Sequence, residues 1–127
     1  LAGEASLASA RVPCGERLHV VPSHIDLSAA EMALAGRPGR EAILRRKIEA
    51  DPACRGGEEG PRHDVMIIDC PPSLGLLSLN AMAAADEVLL PLQPHFLALH
   101  GLSKLLETME LVAERVNPRL RLLGGDE

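Results

Sequence analysis

The chain has 127 residues, enough for one compact domain and too few for a second full one. At 46% hydrophobic and 24% charged it reads as packed, not disordered, and with Phe96 as its one aromatic residue the core is aliphatic and a base-stacking role in nucleic-acid binding is disfavoured. With 18 acidic against 13 basic residues the net charge is −5, so the surface as a whole is no trap for phosphate backbones and only a local basic patch would serve.

Residues 18–21 form a short apolar run around His19 closed by Pro22, the pattern of a strand meeting a loop. Asp26 is placed to cap a helix carried on by Leu27, Ala30, Glu31, Met32 and Leu34 and stopped at Gly36 and Pro38. Residues 40–50 predict a second helix, with Ile43, Leu44 and Ile48 on one side and Arg45, Arg46 and Lys47 exposed. From residue 51 to 61, Pro52, Gly56, Gly57, Gly60 and Pro61 break either period and predict a surface loop. Val65, Met66, Ile67 and Ile68 then form a continuous apolar run ending in Asp69 and the rigid pair Pro71 and Pro72. Continuous apolarity, in place of alternation, predicts a central parallel strand.

A helix is expected over residues 74–85 and a strand over 88–92, the latter ending at Gln93 and Pro94. The strongest helical pattern covers residues 99–116, where Leu102, Leu105, Leu106, Met109, Val112 and Val116 form one stripe and Glu107, Glu110 and Glu114 lie off it. Asn117 and Pro118 stop it, and residues 120–123 predict a last strand before Gly124. Strands alternating with helices imply crossover units on a parallel sheet.

No apolar run is long enough to span a membrane and the start of the chain has no signal-peptide pattern, so the expected location is cytoplasmic. Cys14, Cys54 and Cys70 are an odd set without C-x-x-C spacing, which fits reduced structural thiols.

Ligands of open α/β sheets bind beyond the carboxyl ends of strands, so Asp69 is placed to hold Mg²⁺ through water. The same pattern suits a carboxylate that only begins a turn. Ser73 has neither a G-x-S-x-G setting nor a base to activate it, and a zinc site from His95, His100 and a cysteine lacks the usual ligand spacing. Arg40, Arg45, Arg46 and Lys47 read as a solvated helix face, or as a contact for nucleic acid or a partner.

The stretch Asp64-Val-Met-Ile-Ile-Asp-Cys-Pro-Pro-Ser-Leu-Gly75, followed by Leu79-Asn80-Ala81, Ala84-Ala85-Asp86-Glu87-Val88 and Leu90-Pro91-Leu92-Gln93, resembles the ParA/MinD family of deviant Walker ATPases, nearest its ParA/Soj chromosome and plasmid partition branch. The likeness continues through residues 98–103 and 117–120 and is traceable upstream at 3–7, 21–23, 25–27 and 39–41. It implies an α/β fold, a parallel sheet with flanking helices, as a single incomplete P-loop NTPase domain over residues 1–127. It implies that Asp69 is the Walker B aspartate and metal ligand. Cys70, Pro71, Pro72, Ser73 and Gly75 would belong to the switch loop that senses the γ-phosphate, the two prolines stiffening it and Gly75 freeing the backbone where the next helix begins. It further implies ATP and Mg²⁺ as cofactors, a homodimer, a stimulating partition partner protein, DNA bound without sequence preference, and no membrane.

The family's phosphate-binding loop, of the G-K-x-x-x-G-K-[ST] type, has no counterpart in these 127 residues, whose only lysines, Lys47 and Lys104, follow no glycine-rich turn. Without cradling N–H groups and that lysine, appreciable nucleotide binding to this stretch is not expected, no residue is assigned as catalytic, and its standing as an enzyme stays open. The expectation is the middle of a longer protein. Two other readings are a nucleotide-independent module that self-associates through an uncovered sheet, and a relative of the amidotransferase-linked synthetases, such as cobyrinic acid diamide synthase, which share the P-loop architecture. His95 and His100 stand where the family more often has acidic or other polar residues.

Overall fold

The computed structural model describes residues 5–55, 63–71, 74–91 and 98–123. Ser6 opens the first helix, α1 (Leu7–Ala10), by accepting the Ser9 N–H at 3.1 Å. An antiparallel hairpin follows, β1 (Val12–Pro13) on β2 (His19–Val20), with Val12 opposite Val20 and Pro13 opposite His19. A 3₁₀ turn (Ile25–Ala29) runs into α2 (Ala30–Leu34). Its cap is His24, whose Nδ1 accepts the Asp26 N–H at 3.1 Å, and not Asp26 as the sequence pattern predicts. Capping needs the extended residue ahead of the turn; His24 has that backbone, at φ −128° and ψ 154°, whereas Asp26 already lies inside the turn. In so short a helix only Leu34 is fully buried, and Met32 points to solvent.

Gly39 takes the left-handed conformation at φ 68° and leads into a 3₁₀ turn (Arg40–Ala42) and α3 (Ile43–Glu49). The basic run on α3 is less solvated than the sequence predicts. Arg46 Nη2 donates to the Gly39 carbonyl at 2.7 Å, Arg45 Nη1 to the Val116 carbonyl at 3.2 Å, and Lys47 Nζ to the Ala5 carbonyl at 2.6 Å. Arg45 and Lys47 are half-buried as a result. Long cationic side chains here satisfy chain carbonyls. The start of the predicted loop at residues 51–61 is instead a short helix, α4 (Pro52–Arg55). Asp51 Oδ1 caps it by accepting the Ala53 N–H at 3.1 Å, and proline is well suited to the first helical position.

Helix α5 (Leu76–Ala84) is followed by β3 (Glu87–Val88), α6 (Ala98–Arg115) and β4 (Arg121–Leu122). β3 and β4 pair in parallel, Glu87 opposite Arg121 and Val88 opposite Leu122, with an ion pair between Glu87 and Arg121 on the outer side. This β3–α6–β4 unit is the α/β crossover expected from the sequence, and the core forms under it from Met82, Met109, Val112 and Leu120, flanked by Leu79, Leu105, Leu106 and Val116. The core is aliphatic, and it uses the stripe read from residues 99–116.

Two asparagines fasten α5. Asn80 is 0% exposed; its Oδ1 accepts the Leu44 N–H at 3.1 Å and its Nδ2 donates to the Arg40 and Leu76 carbonyls at 2.9 and 3.0 Å. Asn117, just past α6, donates from Nδ2 to the Met82 and Ala85 carbonyls at 3.0 and 2.6 Å, so the end of α6 closes the end of α5. Among the described residues no buried side-chain nitrogen or oxygen lacks a hydrogen-bond partner.

The central strand expected at residues 65–68 is not formed. Residues 63–71 contain neither helix nor strand, and Val65, Met66 and Ile67 are exposed, Ile67 to 89%. A strand apolar on both faces needs neighbours on both edges and cover on both sides. Among the described residues the only pairings are β1 with β2 and β3 with β4. Residues 56–61 of the predicted loop, Leu92 to Pro94 and Gly124 lie outside the described residues. No helix among the described residues is long and apolar enough to cross a membrane.

Candidate functional site

The segment that carries Asp69 starts from a buried polar anchor. Asp51 is 3% exposed and engages both terminal nitrogens of Arg11, Nη1 to Oδ2 at 2.7 Å and Nη2 to Oδ1 at 3.1 Å. Burial alone would push the Asp51 carboxyl up, but the Arg11 hydrogen bonds, the Ala53 N–H and the Arg11 charge outweigh it and hold the group below the usual carboxylate range. The Cys54 thiol donates to Asp51 Oδ2 at 3.6 Å and is pushed up, first by burial and then by the Asp51 charge, so it stays protonated at neutral pH.

The Ala53 carbonyl accepts the His63 N–H at 3.0 Å. His63 Nε2 in turn meets His19 Nδ1 on β2 at 3.0 Å, with the rings edge to face and their centroids 4.9 Å apart. One imidazole donates an N–H and the other accepts it. The beginning of the segment is thereby tied to both α4 and β2.

Beyond His63 the chain opens to water. Asp64 through Ile67 are exposed, Ile68 is half-buried, and Asp69, Cys70 and Pro71 are exposed again. Cys70 Sγ lies 3.5 Å from the Ile68 carbonyl, and its thiol is pushed up by local burial and by the Asp69 charge. Asp69 presents a solvated, hard oxygen donor of the kind that a hydrated Mg²⁺ accepts. Among the described residues no three His, Cys, Asp or Glu side chains gather as a metal site.

The chain is fastened again at α5. Its first turn receives no cap from Gly75; instead Glu31, half-buried on α2, accepts the Leu77 N–H on Oε1 at 3.1 Å. A Cβ on residue 75 would stand 2.5 Å from Oε1 and 2.9 Å from Oε2 of Glu31, so a side chain there would oblige the end of Glu31 to shift.

Of the residues singled out from sequence, Asp69, Cys70 and Pro71 share the exposed segment and Gly75 begins the approach to α5. Pro72 and Ser73 lie outside the described residues, as do His95 and the side chain of His100. Sequence reasoning missed Glu31, Arg11 and Asp51, and it gave no role to the His19–His63 pair. One signal was available: an apolar helix opening on glycine, with no Ser, Thr, Asp or Asn in the capping position, brings no local side chain to its first-turn N–H groups.

Parallel strands joined through a helix, with an acidic residue closing an apolar run, place the chain among α/β proteins. The AAA domain family matches residues 4–122. The chain is 48% identical over 107 residues to the chromosome partitioning protein ParA of Myxococcus xanthus, covering 84% of this chain and 35% of that protein. It is 43% identical over 109 residues to the sporulation initiation inhibitor protein Soj of Bacillus subtilis, covering 86% and 40% respectively. A solved structure of cobyrinic acid a,c-diamide synthase from Mycobacterium smegmatis, with bound ADP and magnesium, superposes with a TM-score of 0.80 at 40% identity, over 95% of this chain and 46% of that one. The chain belongs to the ParA/MinD family of partition ATPases within the AAA domain family. It spans less than half the length of these relatives.

The anchor makes a signed pH prediction. Asp51 is depressed in the folded state, so the stability it contributes is present above the unfolded carboxylate value of about 4 and is lost as pH falls through its lower folded value. Replacing Arg11 by Met removes the guanidinium's hydrogen bonds and charge and leaves only the Ala53 N–H and the Cys54 thiol to oppose burial. Arg11→Met is expected to destabilise by about 3 kcal/mol at pH 7 and by much less at pH 3. Urea unfolding of both proteins at the two pH values checks it, and an equal loss at both would contradict the assignment.

Proposed function

We propose that this chain is the nucleotide-sensing portion of a ParA/Soj-type ATPase for chromosome or plasmid partitioning, one domain over residues 1–127, with Asp69 as its Walker B aspartate. The observation that carries the reading is the 43% to 48% identity to partition proteins over most of the chain. Asp69 supports it, standing as an exposed carboxylate at the end of an apolar run. In this reading Asp69 holds Mg²⁺ through water, and Cys70, Pro71, Pro72, Ser73 and Gly75 form the loop that senses the γ-phosphate. Bound Mg·ATP would supply the phosphoryl group and the charge to be sensed. The chain's own part is to present a solvated carboxylate and to hold the two ends of the loop, at His63 and at Leu77. Cytoplasmic location, a stimulating partition partner and DNA bound without sequence preference belong to the same proposal.

Because a glycine-rich loop with its lysine is not within these 127 residues, most of the electrostatic support for the phosphates is not supplied by them. The expected result of titrating Mg·ATP into this chain is weak binding, with a Kd of about 1 mM or above. In an NMR titration the shift changes should centre on residues 69–77 and vanish in Asp69→Ala, a variant that changes stability by less than about 0.5 kcal/mol because the carboxylate is exposed. Shifts confined to other parts of the chain would sink the reading, and micromolar affinity would show that more of the site is retained.

A second reading, self-association into a homodimer, is favoured by the exposed run Val65, Met66 and Ile67. An exposed apolar stretch without a ladder partner among the described residues is open to other chains. Sedimentation velocity should show a concentration-dependent dimer that Ile67→Lys abolishes. A wild-type chain monomeric at every concentration would remove this reading.

A further inference from the structure

We propose that Glu31 is a positioning residue, which caps α5 from another helix and so sets where the segment leaving Asp69 enters that helix. The functional meaning of this rests on the nucleotide-sensing reading above; the clasp itself rests on geometry. Helix α5 opens on Gly75, which has no side chain to cap it, and the Leu77 N–H is one of the first-turn donors that a helix leaves without an internal partner. That donor goes to Glu31 Oε1 at 3.1 Å, across 46 residues of sequence.

Two further features make the contact specific. Gly75 leaves the carboxylate room, since a methyl group there would stand 2.5 Å from its oxygen and oblige the end of the Glu31 side chain to shift. Glu31 also sits one turn before Leu34, which is 2% exposed, so the burial of Leu34 turns the same face of α2 toward the protein and holds the carboxylate in place. A negative charge is the favoured one at this end of a helix. The consequence is positional: the Glu31 bond fixes the first turn of α5, the helix that follows residues 69–71 in the chain.

Exchange of individual amides in the 127-residue chain, measured without nucleotide, reads the clasp directly. A failure of the ATPase reading would show in the nucleotide titration and leaves this measurement untouched. Glu31→Ala should speed exchange at the Leu77 amide about five- to tenfold, the effect of losing one cap. The Leu44 amide, held by Asn80, should keep its rate. Glu31→Gln keeps an acceptor oxygen and should restore most of the protection. The proposal is overturned by unchanged Leu77 exchange in Glu31→Ala, by equal acceleration at Leu44, or by Glu31→Gln exchanging as fast as Glu31→Ala.

Discussion

Helix α5 has nine residues, too few to hold a helix in water unaided, and the rest of the chain is arranged around fastening it. Its start is capped by Glu31 from α2, its middle is joined through Asn80 to the Arg40 carbonyl and the Leu44 N–H, and its end is closed by Asn117 from beyond α6. Ser78, Asn80, Ala81, Met82 and Ala83 are all buried, so the helix is covered on more than one side. A buried amide or carbonyl left without a partner costs about 1–3 kcal/mol. Three side-chain clasps at three heights therefore decide whether this helix exists, and with it the Met82 contribution to the core.

The site is a span with two fixed ends. At one end, Arg11, Asp51 and Ala53 hold the His63 backbone, with His19 against its ring; at the other, Glu31 holds Leu77. Between these ends the described residues from Asp64 to Pro71 are largely exposed, Asp69 among them. Asp69 thus lies in solvent between one stretch held by α4 and β2 and another held by α2.

Much of this was legible in the residues. The stripe from Leu102 to Val116 sits in α6, the helix at 74–85 sits in α5, and the parallel pairing of residues near 88 and 121 follows from the crossover pattern. The run at residues 65–68 was legible as a chemical type but not as a structure. Apolarity on both faces states what a strand requires around it, and the described residues do not supply it. The glycine that opens α5 signals a donor without a local side-chain cap, but capping rules read neighbours a turn apart and do not name Glu31, 46 residues away. The Arg11–Asp51 pair is invisible for the same reason, and Arg45 and Lys47, read as a solvated face, bind carbonyls that only the tertiary fold brings near.

Native-state hydrogen exchange across the whole chain tests this account most directly, because it ranks each backbone amide by the free energy of the opening that exposes it. The account places the slowest amides in α5 and in the part of α6 around Met109 and Val112, with residues 65–68 exchanging near the rate of unprotected chain. Protection of residues 65–68 equal to that of α5 would contradict it, since those amides would then be laddered in a sheet and α5 would not be the element on which the fold depends.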